Sequence, residues 1–158
     1  MSPPIRVLMV CTGNICRSPT AEGVLRRMAE RAGVAHRIEV DSAGTTNYHV
    51  GDSPDRRSQM HAAQRGYDLS AQRARQVQAA DFDAFDWLIA MDRGHLAELR
   101  ADAPPHRLDR IHLLMDFADD PRGGEVPDPY YGGGAGFDDV LDRVEAGCRG
   151  LLARIVNT

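Results

Sequence analysis

Short unbroken apolar runs alternate along the chain with apolar residues at helical spacing. Ile5 to Val10 is a β-branched and apolar run, too short for a helix, and it predicts a buried strand. Ser18-Pro19 reads as an N-cap followed by proline at the first helical position. Ala21, Val24, Leu25, Met28 and Ala32 follow at helical spacing, and Gly33 closes that segment. Ile38-Glu39-Val40 predicts a second strand ending at Asp41-Ser42-Ala43-Gly44. Residues 47–54 read as a polar loop, and Asp55 to Arg65 as a helix stopped by Gly66. Phe85 to Met91 predicts a third strand, with Asp92 placed to cap a helix through about Arg100. Ile111 to Met115 predicts a fourth. Residues 116–136, including Gly132-Gly133-Gly134, read as one long loop rich in Pro, Gly and Asp, a length that tends to go with function. Phe137, Val140, Leu141, Val144, Cys148, Leu151, Leu152 and Ile155 then trace one face of a closing amphipathic helix.

Strands alternating with helices imply an α/β fold with a parallel sheet and helices on both faces. Such sheets bind ligands at the carboxyl ends of their strands, so attention falls on the loop after the first strand.

Composition narrows the picture. At 158 residues the chain is expected to form one domain, 1–158, with a full hydrophobic core. Its formal charge of −4 comes without a basic block, which argues against a nucleic-acid partner. All nineteen basic residues are arginine. That excludes lysine Schiff-base chemistry and lysine-dependent phosphate loops, and it matches a GC-rich bacterial genome. Cys11, Cys16 and Cys148 are the only cysteines, an odd number that, without a signal peptide, argues for the reducing cytoplasm. The run from Val7 to Val10 is too short to span a membrane or direct export.

The first loop reads Val10-Cys11-Thr12-Gly13-Asn14-Ile15-Cys16-Arg17-Ser18-Pro19. A tight loop that turns its amides inward, backed by a helix start, is an anion nest. Gly13 and Asn14 tolerate the left-handed angles it needs. Arg17 supplies a planar fork matched to two phosphate oxygens. The same positive field favours Cys11 as the nucleophilic thiolate, with Ser18 able to donate to its sulfur. Spacing alone is weak, because a bare Cys-x5-Arg arises often by chance. The strand, the Gly-Asn turn and the Ser-Pro helix start around it carry the phosphate-loop reading. A zinc site at Cys11 and Cys16 is rejected, since no Cys or His lies close enough in sequence to complete a tetrahedral set.

Attack on a phosphate monoester needs a proton donor for the leaving oxygen. Asp116, Asp119, Asp120, Glu125 and Asp128 are available in the long loop. Asp128 stands apart in Val126-Pro127-Asp128-Pro129-Tyr130-Tyr131, where flanking prolines restrict the backbone. It reads equally as a turn aspartate.

The loop at 10–19, together with Asp128-Pro129-Tyr130-Tyr131-Gly132, resembles the low-molecular-weight protein tyrosine phosphatases. Val40-Asp41-Ser42-Ala43-Gly44-Thr45, Ala74-Arg75-Gln76 and Met91-Asp92 extend the likeness over essentially the whole chain. The resemblance implies a four-stranded parallel sheet of order 2-1-3-4 and hydrolysis of phosphotyrosine and aryl phosphate esters through a phosphocysteine, without metal or cofactor. It makes Cys11 the nucleophile, Arg17 the phosphate clamp and Asp128 the general acid and base. The loop residues Thr12, Gly13, Asn14, Ile15, Cys16 and Ser18 are expected at the phosphate. Tyr48, Tyr130 and Tyr131 are expected to line the aromatic slot, edged by Thr12 and Ile15. Asn14, Ser18 and Ser42 are expected to brace the loop. Cys16 would pair reversibly with oxidised Cys11.

Many members carry a histidine where this chain has Gln72, which is expected to hydrogen-bond Asn14 instead. None of the six histidines falls in a readable motif, and His49 is expected near the slot, at the surface. Expected partners are phosphotyrosine-bearing proteins, a tyrosine kinase among them, with no membrane and no nucleic acid. A monomer is the expected state, with weak self-association through the aromatic rim. Cytoplasmic location is expected, with export by a route that needs no signal peptide left open. The rivals are an arsenate reductase of the same fold, which needs resolving cysteines that the middle of the chain lacks, and a phosphotyrosine-binding module without catalysis.

Overall fold

The computed structural model describes residues 2–119, 124–130 and 134–157. Strand β1 (Ile5–Cys11) lies between β2 (Ile38–Gly44) and β3 (Trp87–Ala90), and β4 (Ile111–Leu113) flanks β3, so the order is β2-β1-β3-β4. All pairings are parallel. Cys11 pairs with Gly44, and Val10 pairs with both Ala43 and Ala90, which brings three carboxyl-terminal strand ends together at the start of the first loop. This is the sheet order that the family resemblance implies.

The unbroken apolar run of β1 has a direct cause, because both of its faces are covered. Val7, Met9 and Cys11 join a core with α1 (Arg17–Arg31) and α5 (Gly134–Val156). Leu8 and Val10 face the other way, onto Phe82 of α3 (Asp81–Ala84), Phe85 and Leu99 of α4 (Arg93–Asp102). Helix α2 (Arg56–Gln64) adds Ala62 to the first core. Among the described residues no helix is long and apolar enough to cross a membrane.

Three local expectations need correction. Helix α1 begins at Arg17, after Cys16, with no side-chain cap, so Ser18 is not its N-cap and Pro19 is not its first residue. The Ser18 hydroxyl is committed to the loop instead. Strand β4 stops at Leu113, and Leu114–Phe117 form a 3-10 turn. Leu114 and Met115 both pack into the first core, whereas consecutive strand residues would point to opposite faces. Helix α5 starts at Gly134, so the long loop is shorter than 116–136 and Gly134 is helical. The 3-10 turns at Ala35–Arg37 and Pro105–Arg110 and helix α3 were not legible as elements. Asp92 does cap α4, as its position predicts, while Asp55, read as the first residue of a helix, stands one place before α2 and caps it.

Candidate active site

The loop leaving β1 is gripped by its carbonyls. Cys11 and Thr12 carbonyls accept the main-chain N–H groups of Thr45 and Thr46 at 2.9 and 3.0 Å, and the Ile15 carbonyl accepts that of Asp55 at 2.8 Å. With those carbonyls turned outward, the amides from Thr12 to Cys16 make no hydrogen bond to protein among the described residues. Asn14 sits in the left-handed region, φ 59°, and is the one non-glycine residue there among those described. A cavity of about 300 Å³ opens over the loop, with Cys11, Thr12, Gly13, Ile15, Cys16 and Arg17 at its base. Tyr48, His49, Asp128 and Tyr130 form its rim.

A buried network behind the loop has a definite direction. Ser42 Oγ donates to Glu22 Oε1 at 2.7 Å, so its lone pair accepts from Asn14 Nδ2 at 2.9 Å. The second Nδ2 hydrogen goes to Ser18 Oγ at 2.9 Å. The Ser18 proton is then left for Cys11 Sγ at 2.9 Å, with the Ala43 carbonyl more distant at 3.5 Å. Asn14 Oδ1 accepts the Arg75 main-chain N–H at 3.0 Å. Arg75 is itself clamped by Asp41 at 3.1 Å and Asp81 at 3.0 Å. Burial raises the Glu22 carboxyl above the usual range, against the pull of Ser42 and Arg26.

Arg17 is held on the opposite side. Its side chain is 5% exposed; Nη1 donates to Asp92 Oδ2 at 2.8 Å and to the Val126 carbonyl at 3.1 Å. Nη2 donates to Thr12 Oγ1 at 3.3 Å and lies 3.8 Å from Asp128 Oδ2. Burial alone would raise the Asp92 carboxyl, but the His95 main-chain N–H and Arg17 hold it below its usual range. His95 Nε2 is 2.8 Å from Thr12 Oγ1, and burial, then Arg17, pushes the imidazole down to about 4. Burial also pushes the Cys16 thiol up to about 12, against the Ser58 hydrogen bond.

The sequence matches the family described as low molecular weight phosphotyrosine protein phosphatase over residues 6–158. The chain belongs to that family. A low molecular weight protein-tyrosine-phosphatase of Streptomyces coelicolor is 47% identical over 153 residues, 95% of this chain and 93% of the relative. The Bacillus subtilis phosphatase YfkJ is 40% identical over 151 residues, 96% of each chain, and its crystal structure superposes with a TM-score of 0.93, at 38% identity, covering 99% of this chain and 97% of that one. The Entamoeba histolytica protein tyrosine phosphatase with Hepes in its active site superposes with a TM-score of 0.94, at 37% identity over 97% of both chains.

Within this low-molecular-weight phosphatase fold, Cys11, Arg17 and Asp128 lie around one cavity with Thr12, Gly13, Ile15, Cys16, Tyr48 and Tyr130. Asn14, Ser18 and Ser42 stand behind the loop. Tyr131 and Asp120 lie outside the described residues. One expectation fails. Gln72 does not reach Asn14; its Nε2 donates to the Pro19 carbonyl at 3.0 Å, because Arg75 and the two serines already use every polar atom of the Asn14 amide. His49 stands near the slot as expected, its side chain partly exposed at the cavity rim, and its ring lies on Gly13, where a Cβ would meet Cδ2 at 2.9 Å. Glu125 is not among the residues lining the cavity and accepts the Arg93 main-chain N–H at 2.8 Å.

Sequence reasoning missed Glu22, Arg75 and His95, and read Asp92 only as a cap. Glu22 looked like any charge on a helix. The spacing from Asp92 to His95 was the one available signal, because a polar residue at the third helical position closes a capping box.

Proposed function

We propose that Cys11, Arg17 and Asp128 carry out cysteine-dependent hydrolysis of phosphotyrosine esters in this family member. The supporting observation is the 3.8 Å approach of Arg17 Nη2 and Asp128 Oδ2 over a cavity floored by Cys11. A clamp for the phosphoryl oxygens and a proton donor for the leaving oxygen thereby share one wall. Cys11 Sγ attacks phosphorus as the thiolate, the S–P bond forms, and the bond to the phenol oxygen breaks. Asp128 gives its proton to that oxygen. Water, losing a proton to the same carboxylate, then attacks the phosphocysteine and frees phosphate and the thiolate. Loop amides and Arg17 hold the equatorial oxygens in both displacements. Tyr48 and Tyr130, 79% and 38% exposed, offer faces for the substrate ring.

The arsenate reductase rival requires a cysteine relay. Cys148 is wholly buried between α5 and the Ala21 carbonyl, so it is poorly placed to receive a disulfide from the loop. A pure binding module has no use for Asp128 beside the clamp. We read the substrates as phosphotyrosine-bearing proteins, a tyrosine kinase among them, and the protein as a cytoplasmic monomer, a location that its three free thiols support.

The test is hydrolysis of p-nitrophenyl phosphate without added metal. Cys11→Ser should abolish turnover and retain phosphate binding. An active Cys11→Ser protein, or an inactive parent, would overturn the assignment.

A further inference from the structure

We infer that Thr12 donates its hydroxyl proton to an oxygen of the bound phosphate ester, and that His95 is the positioning residue that sets this polarity. The inference rests on the phosphatase reading and adds to it a hydrogen-bond donor supplied by a side chain, apart from the loop amides and Arg17.

The argument is a count of donors. A hydroxyl has one proton and two lone pairs. Two neighbours of Thr12 Oγ1 are fixed by the structure, Arg17 Nη2 at 3.3 Å and His95 Nε2 at 2.8 Å. A guanidinium nitrogen can only donate. The role of the imidazole is settled at its far nitrogen. The Asp92 main-chain N–H, also only a donor, points at His95 Nδ1 at 3.3 Å. Asp92 Oδ1 also lies 3.1 Å from that nitrogen, but out of hydrogen-bonding line with it, and accepts the His95 main-chain N–H at 2.9 Å instead. Nδ1 therefore accepts, and the neutral ring carries its proton on Nε2. His95 is 4% exposed, so water does not compete for either nitrogen.

Both lone pairs of Thr12 Oγ1 are thus taken by donors, and its proton is left over. Thr12 lines the cavity with Cys11, Arg17 and Asp128. In the proposed first step Asp128 is itself a proton donor, so the acceptor that suits the leftover proton is an oxygen of the ester. The hydroxyl joins Arg17 and the loop amides in meeting the charge that builds on those oxygens.

Vanadate, which presents oxygens in the geometry of the displaced phosphoryl group, is the probe. Thr12→Val keeps the β-branched shape and removes the hydroxyl. It should weaken vanadate inhibition, and lower kcat/KM for p-nitrophenyl phosphate, by roughly tenfold or more. Thr12→Ser should recover most of both. His95→Phe should weaken vanadate inhibition similarly, and His95→Gln, which can still offer an N–H to Thr12, should restore part of it. Ring nitrogen NMR on the unaltered protein needs no variant to fold, and should show His95 protonated at Nε2 and bare at Nδ1. A ring protonated at Nδ1, or a Thr12→Val protein that binds vanadate like the parent, would overturn the inference and leave the phosphatase reading standing. A parent without p-nitrophenyl phosphate turnover would instead remove the reading beneath it.

Discussion

The Arg75 main-chain N–H meets Asn14 Oδ1 at 3.0 Å and so decides which way round the Asn14 amide sits. With the oxygen held there, both amide hydrogens face Ser18 and Ser42. The side chain therefore does more than tolerate a φ of 59°.

Asn14→Gly should separate shape from polarity. Glycine accepts the left-handed angle and makes none of the three hydrogen bonds. The expected result is a fall of ~10–100-fold in kcat/KM, in keeping with the loss of two or more hydrogen bonds in a buried network. Asn14→Asp should fall at least as far, because its carboxylate offers acceptors where donors are needed. Near-parental kinetics in Asn14→Gly would mean that backbone angle alone sustains the loop.

Asp128→Ala should slow aryl esters with poor leaving groups by ~10²–10⁴-fold and those with good leaving groups much less. A series of substituted phenyl phosphates reads this as a steeper dependence on phenol acidity. Equal losses across the series would remove Asp128 from the role of acid.

Gly44 closes β2 directly behind the loop. A Cβ there would lie 2.7 Å from the Thr12 carbonyl oxygen and 3.1 Å from the Gly13 carbonyl carbon, both main-chain atoms. Gly44→Ala should cost about 1–3 kcal/mol in urea unfolding and lower kcat as well. Gly33→Ala meets nothing within 4 Å but carries a φ of +74°. It should lower stability by about 1–2 kcal/mol and leave kcat alone.

His95 ties stability to pH. Its folded value of about 4 lies below the ordinary 6.5, so between these values the unfolded chain binds the extra proton. Stability is therefore lost as pH falls from about 6.5 toward 4. By linkage the loss between pH 7 and pH 5 from this group is about 2 kcal/mol. Asp92, held low, adds to the loss only below the ordinary carboxylate range, and Glu22, held high, opposes it. Urea unfolding at pH 7 and pH 5 should show His95→Asn with a shallower fall than the parent. Identical falls would show that His95 is not the titrating group.

Cys16 bears on oxidation. If peroxide converts Cys11 to the sulfenic acid, the Cys16 thiol can displace water to form a disulfide that dithiothreitol reopens. Because burial pushes Cys16 up to about 12, little of it is thiolate near neutrality. Capture should therefore quicken by roughly tenfold per pH unit below that value. Cys16→Ser should make peroxide inactivation increasingly irreversible, read as activity regained after dithiothreitol. Full recovery in Cys16→Ser would dismiss the pairing.

What could be read in advance follows the distance over which the information is carried. The loop from Cys11 to Ser18 is contiguous, and its Gly-Asn turn and single arginine, read with the strand before them and the helix start after, announce an anion site. Strands β1 and β3 were visible because sheets covered on both faces leave apolar runs. Glu22, Arg75 and His95 come from three separate elements, and only the packing of α1, the Ala74–Gln76 segment and α4 around β1 brings each of them to the loop or its support. Ser18 misled because serine before proline is also how helices begin; here its hydroxyl is turned to sulfur. Gln72 was assigned to Asn14 by its alignment with a histidine, but a main-chain group that no side-chain pattern reveals had taken that place.

Parallel strands also leave the protein with an idle end. Every strand starts where Arg6 and Glu39 form an exposed ion pair at 3.2 Å, and β1 runs from there for seven residues, roughly 20 Å, before reaching the sulfur. Side chains at that end brace the rim of the sheet, as Arg6 does in donating to the Ala84 carbonyl at 2.9 Å, and those of Arg6 and Glu39 stand apart from the cavity. That end is the natural place to attach a dye, a surface or an affinity handle when the chemistry at the other end is to be watched undisturbed.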